Sequence, residues 1–232
     1  AEAGADAVKF QSYEGDSLVT EDNSAHSVLD KYSLPEEWHF ELAEYCEEKD
    51  IIFASTPYDE ERVSWLEEVG VPFFKIASGD LTYLPFIEKI ANLGKPIILS
   101  TGMATLGEVE KAVNTILDAG NEKVALLHCV GRYPTEVDEA NLNVIDTLSQ
   151  AFKVPVGFSD HTESSIIPGY AVSMGADIVE KHFTLDKDLS GPDHKASLNF
   201  GELKETVDLI RKVEKAMGSG IKAPILEEKD SK

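Results

Sequence analysis

The stretch FFKIASGDLTYLPFIEKIANLGKPIILS, residues 73–100, contains a complete strand–helix–strand pattern. Its ends, 73–77 and 96–100, are short apolar runs rich in Phe and Ile, as expected for strands that are buried on both faces. Between them, residues 84–93 have the apolar spacing of an amphipathic helix. Gly94 follows that helix, at the position where a glycine commonly ends a helix in the left-handed conformation. The stretch therefore predicts a βαβ unit with parallel strands.

The same unit recurs along the chain. Apolar runs predict seven strands, at 7–11, 51–55, 73–77, 96–100, 124–129, 154–158 and 177–181. Amphipathic patterns predict helices at 36–48, 60–69, 84–93, 107–119, 142–152, 164–174 and 201–217. Glycines precede several strands in the same way, which indicates one repeated βα unit. Residues 12–34 show little helical pattern, and we expect a long functional or mobile loop there.

Repeated βα units predict an α/β fold, either an open doubly wound sheet or a closed barrel. No Gly-x-Gly-x-x-Gly follows the first predicted strand, which disfavours a dinucleotide-binding sheet. The sequence also opens on what resembles the end of a helix. We therefore expect a (β/α)8 TIM barrel over residues 1–217 that lacks the first strand and most of the first helix. Residues 218–232 are charged and aperiodic, and we expect a linker toward a further domain.

The composition excludes several classes of protein. The 232 residues include 43 Asp and Glu against 21 Lys and Arg, a formal net charge of −22, which disfavours nucleic acid and anionic membranes as partners. No apolar run reaches the roughly 18 residues of a membrane span. Two cysteines without CxxC spacing, Cys46 and Cys129, fit a reducing compartment. We expect a cytoplasmic protein that acts on small molecules.

Polar side chains follow the carboxyl ends of the predicted strands. In an α/β barrel these ends lie together and form the active site. They carry Lys9, Gln11, Ser55, Thr56, Lys75, Ser78, Asp80, Ser100, Thr101, His128, Ser159, Asp160, His161, Glu180, Lys181 and His182. These positions predict a ring of side chains around one cavity.

The residue types in this ring suggest two kinds of binding. Lys9 and Lys75, together with the serine and threonine hydroxyls, suit a bound phosphate group. His161 and His182 end neighbouring predicted strands, so their imidazoles could hold a divalent metal ion with water and substrate in the remaining positions. The ring is therefore typical of an enzyme that uses a metal ion and a phosphorylated substrate.

In these positions the sequence resembles the sialic acid synthase family, which includes N-acetylneuraminate, legionaminate and pseudaminate synthases and the spore-coat polysaccharide synthases. The resemblance spans about residues 1–225, and its motifs are KFQ (9–11), KIASGD (75–80), LSTGM (99–103), LHC (127–129), YP (133–134), GFSDHT (157–162), EKHFT (180–184) and GPD (191–193). It implies condensation of phosphoenolpyruvate with an N-acyl amino sugar, such as N-acetylmannosamine, to a nine-carbon keto sugar acid plus phosphate. It also implies a divalent metal, Mn²⁺ or alternatively Mg²⁺ or Co²⁺, and a homodimer.

The resemblance also assigns roles to single residues. It implies a metal site at His161 and His182 and catalytic roles for Glu180, Lys75 and Asp193. The implied phosphoenolpyruvate-binding residues are Lys9, Thr56, Lys75, Ser78, Ser100 and Ser159. The implied sugar-binding residues are Gln11, Tyr133, Glu180 and Asp193. Gly131 stands where the family can place an asparagine, while the family's first-strand glutamate and antifreeze-like C-terminal domain are expected outside this sequence.

Two other functional interpretations remain open. On the same barrel, Lys75 or Lys181 could form a Schiff base with a keto substrate, as in class I aldolases. Lys181 could instead form a structural pair with Asp160 or Glu180. The truncated barrel could also be catalytically inactive.

The four other histidines are expected to be structural, loop or surface residues, although His194 follows Asp193 and could touch substrate. A single histidine at a strand end is more often structural than a ligand, and this applies to His128. Loop or surface positions are expected for His26, His39 and His194.

Overall fold

The computed structural model describes residues 1–191, 193–224 and 228. Within these residues the strands are β1 (Ala7–Ser12), β2 (Ile52–Pro57), β3 (Phe74–Ile76), β4 (Ile97–Ser100), β5 (Val124–Cys129), β6 (Val156–Asp160) and β7 (Val179–Lys181). The helices are α1 (Gly15–Leu18), α2 (His26–Tyr32), α3 (Glu36–Glu48), α4 (Glu60–Val69), α5 (Leu84–Ala91), α6 (Leu106–Asp118), α7 (Asn143–Phe152), α8 (Ile167–Ser173) and α9 (Phe200–Met217). Helices follow strands in the repeated order that the sequence predicts.

All strand pairs of the described residues are parallel and follow the order of the chain. β1 pairs with β2, and β3 to β7 form a second ladder in sequential order, with β2 lying beside β3. Sequential parallel strands with helical crossovers bring every strand's carboxyl end to the same edge. The predicted α/β fold with a parallel sheet is thus confirmed, whereas closure of the sheet by a preceding strand stays a prediction.

Local sequence signals fix where the helices begin and end. Thr105 caps α6 by accepting a hydrogen bond from the Glu108 N–H, and the Glu108 carboxylate accepts one from the Thr105 N–H in return. Gly70 ends α4 with φ of 83°, a conformation that costs a residue with a Cβ about 1–2 kcal/mol. In α4, the Asp59 side chain also accepts from the Arg62 N–H, so a cap at each end explains why the predicted and observed bounds of this helix agree.

A continuous apolar core lies between the sheet and the helices. β3, β4 and β5 supply fully buried Phe74, Leu99 and Leu126, and the inner faces of α5 and α6 supply Ile87 and Ile116. Fully burying side chains of this size contributes roughly 1.5–3 kcal/mol each. This core holds the strands in register and leaves their polar ends free for a site.

The segment after β1 differs from the prediction. Residues 12–34 contain the short helices α1 and α2 rather than a helix-poor loop. Asp30 of α2 accepts a hydrogen bond from the Gly15 N–H at 2.8 Å, and His26 Nε2 lies 2.6 Å from an Asp16 carboxylate oxygen. Helices this short have little periodicity and depend on such tertiary contacts, so the pattern of apolar residues did not indicate them.

His39 is buried, contrary to the prediction of a surface or loop position. Its Nδ1–H donates to the Pro35 carbonyl at 2.9 Å, and Nε2 lies 2.6 Å from the Ser12 hydroxyl. The Ser12 hydroxyl lies 2.6 Å from the Ser55 hydroxyl, which joins α3 to β1 and β2. Because both ring nitrogens have partners, burial of this histidine is not costly.

The predicted linker at 218–232 falls partly outside the described residues. α9 ends at Met217, and residues 218–224 form no helix or strand. Residues 225–227 and 229–232 lie outside the described part of the chain, so the domain bounds stay a prediction. Among the described residues, no helix combines the length and apolarity that crossing a membrane requires.

Candidate active site

The carboxyl ends of the strands bring a lysine and a glutamate together from opposite ends of the five-stranded ladder. Lys75, on β3, is buried, and its Nζ donates to the Ser100 hydroxyl at 2.7 Å and the Ile76 carbonyl at 3.2 Å. The same Nζ lies 3.8 Å from Oε2 of Glu180 on β7. The sheet is therefore curled, because strands at its two ends place side chains in contact.

Glu180 is held as a carboxylate. Its Oε1 accepts a hydrogen bond from the Ser159 hydroxyl at 2.9 Å. Burial alone would raise the pKa of this carboxyl, but the charges of Lys9 and Lys75 and the Ser159 hydrogen bond together lower it to about 2. Glu180 is therefore ionised at neutral pH and accepts hydrogen bonds, but it is a weak base and cannot act as an acid.

Lys9 brings a second positive charge to the same place. Its Nζ lies 3.5 Å from Oγ1 of Thr56, which is buried at the end of β2. Its charge acts on Lys75 and Glu180. Burial, followed by repulsion from Lys9, lowers the pKa of Lys75, and attraction from Glu180 opposes the change. The two lysines thus act on the same carboxylate, that of Glu180.

Two histidine rings meet on the other side of Glu180. The ring centroids of His161 and His182 lie 5.4 Å apart. The Tyr133 ring lies 4.0 Å from His161 and 5.5 Å from His182. Asp193 Oδ2 lies 4.0 Å from His182 Nδ1. The two predicted metal ligands and two predicted sugar-binding residues are therefore neighbours.

The hydrogen bonds of His161 fix which of its nitrogens is free. Its Nδ1 donates to the Val130 carbonyl at 2.8 Å, so Nε2 carries the lone pair and lies 3.4 Å from the Ser159 hydroxyl. Burial lowers the pKa of both His161 and His182, and mutual repulsion adds to the effect at His182. Both rings are thereby favoured in the neutral form, which is the form that binds metal ions.

The remaining predicted site residues lie around this centre with structural partners of their own. The Ser78 hydroxyl accepts a hydrogen bond from the Gly102 N–H at 3.0 Å and lies 3.1 Å from Cys129 Sγ. The Gln11 side chain is exposed and donates to the Tyr58 hydroxyl at 3.0 Å. Gly131 faces the Met103 side chain, which a Cβ at this position would meet at 2.7 Å.

Several strand-end residues do not join the site. Lys181 donates to Asp160 at 2.7 Å and to the Thr162 carbonyl, which makes it part of a buried structural ion pair. His128 donates from Nε2 to the Ala140 carbonyl at 2.9 Å, in agreement with a structural role. His194 Nδ1 lies 2.7 Å from the Thr184 hydroxyl.

Two residues near the site were not assigned a role from the sequence. Tyr58 follows β2, and Asp80 ends the short 3-10 turn that follows β3. Burial, with further contributions from Asp80, Tyr133 and Glu180, raises the pKa of the Tyr58 phenol. In the sequence, only their positions after predicted strands could have indicated that these residues lie near the site. Position alone does not tell which strand-end side chains point toward the other site residues.

Comparison with known proteins gives a consistent result. The model of the NeuB family matches residues 1–222. The uncharacterized protein MJ1065 of Methanocaldococcus jannaschii is 48% identical over 98% of this chain and 67% of that protein. The N,N'-diacetyllegionaminic acid synthase of Campylobacter jejuni is 45% identical over 96% of this chain and 71% of that protein. The chain spans about two thirds of the length of these curated relatives.

A solved structure has nearly the same backbone. The N-acetylneuraminic acid synthetase of Leptospira borgpetersenii, crystallised with citrate, superposes with a TM-score of 0.94 at 35% identity, over 99% of this chain and 80% of that one. The solved neighbours are of the TIM-barrel type. The curled parallel sheet described above is therefore a barrel-type sheet.

Proposed function

This chain belongs to the NeuB family, and on that premise we propose that it condenses phosphoenolpyruvate with an N-acyl amino sugar to a nine-carbon keto sugar acid, with release of phosphate. It is an enzyme of the transferase class that forms carbon–carbon bonds, as its named relatives are synthases. The observation that carries the proposal is the convergence of His161 and His182 beside Lys75 and Glu180.

The lysine side of the site suits phosphoenolpyruvate. Lys9 and Lys75 supply positive charge, with the Thr56 hydroxyl beside Lys9 and the Ser100 hydroxyl beside Lys75. Ser159 donates to Glu180, and Ser78 accepts from the Gly102 N–H, so both lie at the same strand ends. Charge-assisted hydrogen bonds from such groups are the strong ones for phosphate and carboxylate oxygens. During the reaction these donors would stabilise the charge on the departing phosphate.

The histidine side of the site suits the sugar and a divalent metal ion. His161 offers the lone pair of Nε2, and a ring separation of 5.4 Å is compatible with both imidazoles binding one ion. Within residues 1–191, 193–224 and 228, no group of three His, Cys, Asp or Glu side chains could hold a metal, so water and substrate would complete the shell. A bound Mn²⁺, or Mg²⁺ or Co²⁺ in its place, supplies Lewis-acid polarisation of the sugar's aldehyde oxygen.

The chain's own residues would align the reactants. Glu180, Asp193, Gln11 and Tyr133 would hold the sugar hydroxyls, so that its aldehyde carbon faces the methylene carbon of phosphoenolpyruvate. A carbon–carbon bond forms between these atoms, water adds at C2 of phosphoenolpyruvate, and the C2–oxygen bond to phosphate breaks. One proton of the added water ends on the former aldehyde oxygen, which becomes a hydroxyl, and the other leaves with the phosphate. Glu180, ionised at neutral pH, would accept hydrogen bonds along this path without holding the proton.

A Schiff-base aldolase is the second candidate, and one observation favours it. Burial lowers the pKa of Lys75, which increases the fraction of free amine that such a reaction needs. Lys181, by contrast, is engaged with Asp160. Borohydride reduction with pyruvate distinguishes the two reactions, because a covalent adduct on Lys75 is expected of the aldolase and none is expected of the synthase.

The direct test is phosphate release from phosphoenolpyruvate in the presence of Mn²⁺ and N-acetylmannosamine or a 2,4-diacetamido hexose. The wild-type protein should release phosphate only when the sugar is present. His161→Ala should lower the rate about 100-fold or more, because even changes behind a metal ligand cost 10–100-fold. Lys204→Ala, at an exposed position on α9, is the control and should keep the wild-type rate.

Two outcomes would contradict the proposal. Sugar-dependent phosphate release by His161→Ala in metal-depleted buffer would remove the metal site from the reaction. No release from the wild-type protein with either sugar would favour the catalytically inactive interpretation.

A further inference from the structure

A chain of buried polar side chains lies behind the carboxyl ends of β1 and β2. His39 of α3, Ser12 of β1 and Ser55 of β2 are each fully buried. The Ser12 hydroxyl oxygen lies 2.6 Å from His39 Nε2 and 2.6 Å from the Ser55 hydroxyl oxygen. These side chains take no part in the reaction proposed above. Ser55, however, directly precedes Thr56, and Ser12 ends the strand that carries Lys9.

The hydrogen bonds of this chain run in one direction. Nδ1 of His39 donates to the Pro35 carbonyl at 2.9 Å, so Nε2 of the neutral ring accepts from the Ser12 hydroxyl. The Ser12 hydroxyl has a single hydrogen, so its oxygen accepts from the Ser55 hydroxyl in turn. Each side chain of the chain thus has its partners, and a satisfied buried network makes the surrounding structure rigid.

The chain lies on the face of the two strands that is opposite to the site. Side chains that are adjacent along a strand point to opposite faces, so Ser55 and Thr56 lie on different faces. Ser12 and Lys9 are three residues apart and therefore also lie on different faces. His39 comes from α3, which packs against β2. It therefore holds the strand ends from the face opposite to Lys9 and Thr56.

The ends of β1 and β2 depend on such contacts for their position. β1 pairs with β2, and in the part of the chain that the structure describes no strand pairing joins them to the β3–β7 ladder. Two strands by themselves are only marginally stable. Lys9 and Thr56 lie on the two-stranded ladder, whereas Lys75 lies on β3. The placement of Lys9 relative to Lys75 is therefore set by packing rather than by strand hydrogen bonds.

We infer that His39 is a positioning residue for phosphoenolpyruvate, because its hydrogen-bond chain fixes the strand ends that carry Lys9 and Thr56. This inference rests on the function proposed above and adds a residue that acts from behind the site. Apolar side chains of similar shape could fill the same space at little cost in stability. A hydrogen-bond chain also fixes distances and directions, and a misplacement of about 1 Å in a site can cost about 100-fold in rate.

The test is the steady-state kinetics of His39→Leu and His39→Gln with phosphoenolpyruvate, Mn²⁺ and the sugar that the wild-type protein turns over. His39→Leu removes the acceptor for Ser12 and should raise KM for phosphoenolpyruvate about tenfold. His39→Gln still offers an oxygen to Ser12, and its KM should stay within about threefold of wild type. The Mn²⁺ concentration that gives half-maximal activity should change less than about twofold in both variants, because His161 and His182 follow strands of the other ladder.

A second variant and two controls separate positioning from loss of packing. Ser55→Ala breaks the same chain at its other end with a small change in volume, and it should also raise KM for phosphoenolpyruvate. Cys46→Ala, at a buried position on the same helix, should lower the free energy of unfolding in urea and leave KM for phosphoenolpyruvate unchanged. Ser149→Ala, exposed on α7, should change neither quantity.

The outcomes distinguish this inference from the proposed function. Normal wild-type turnover with unchanged KM for phosphoenolpyruvate in His39→Leu and Ser55→Ala would overturn the inference and leave the function standing. If His39→Leu does not fold, Ser55→Ala decides by the same criterion. An equal rise of this KM in Cys46→Ala or in His39→Gln would also overturn the inference, because the hydrogen-bond chain would then not be the cause. No sugar-dependent phosphate release by the wild-type protein would overturn the proposed function, and this inference with it.

Discussion

The carboxyl of Asp80 is partly buried, and among the described residues its Oδ2 has no hydrogen-bond partner. Burial raises its pKa from the usual 3.8 to about 6, and the nearby Lys75 charge opposes this change only in part. When the pKa of a carboxyl is higher in the folded state than in the unfolded state, its stabilising contribution is complete at pH values below the unfolded-state pKa. The contribution is lost as the pH rises through the folded-state pKa. At pH 7 the ionised group therefore weakens the fold.

Asp80→Asn should accordingly make the protein more stable at neutral pH. A shift of about two pKa units corresponds to about 1–3 kcal/mol once partial exposure is allowed for. The gain should be present at pH 7 and should disappear between about pH 6 and pH 4. Urea unfolding at pH 4, 5, 6 and 7 measures it, with Asp118→Asn as the control. A difference between variant and wild type that is independent of pH would contradict this account.

Residue types at strand ends were sufficient to find most of the candidate site, but not its limits. His161, His182, Lys75 and Glu180 converge as their positions predicted, because parallel strands align their carboxyl ends. Lys181 could not be separated from them by sequence, since it occupies the same strand end as Glu180. Alternation along a strand turns neighbouring side chains to opposite faces, so Lys181 meets Asp160 instead of the cavity.

At the scale of the elements, the buried pair of Lys181 and Asp160 ties β7 to β6. Asp160 is fully buried, and its other oxygen accepts from the Thr162 N–H at 2.8 Å. Lys181→Met should destabilise the protein by about 3–5 kcal/mol, because it leaves a carboxylate buried without its counter-charge. Thermal unfolding measures the loss.

The matched comparison is the double substitution of Lys181→Met with Asp160→Asn. Replacing the unpaired Asp160 carboxylate with a neutral amide should recover part of the stability that Lys181→Met removes. A single substitution costing under about 1 kcal/mol would show that water or another residue compensates the carboxylate, against this account of the pair.

Element boundaries were predictable where local chemistry sets them. α3 and α4 begin and end where their periodicity does, and β5 has its predicted bounds. β6 begins two residues later than predicted and continues two residues beyond its predicted end, through Ser159 and Asp160, because polar side chains do not prevent the backbone from pairing with β7. α1 and α2 depend on contacts between Gly15, Asp16, His26 and Asp30, which periodicity cannot reveal.

At the scale of the whole molecule, the overall charge and the site have opposite signs. The chain carries a formal net charge of −22, yet the proposed phosphoenolpyruvate side of the site presents Lys9 and Lys75. An anionic substrate is repelled at long range and attracted only at short range. The range of the repulsion is set by salt, with a Debye length of about 30 Å at 0.01 M and about 8 Å at 0.15 M.

The apparent second-order rate constant for phosphoenolpyruvate, kcat/KM, should therefore rise between about 0.01 M and 0.15 M salt. Screening removes the repulsion from distant carboxylates, whereas contacts to the two lysines act over a few ångströms and are screened much less. The uncharged sugar serves as the internal control, because its kcat/KM should not follow the same salt dependence. Lys9→Met should lower kcat/KM for phosphoenolpyruvate at every salt concentration while keeping the upward slope. A steady fall of kcat/KM with salt in the wild-type protein would mean that the lysines, and not the acidic surface, govern the approach of the substrate.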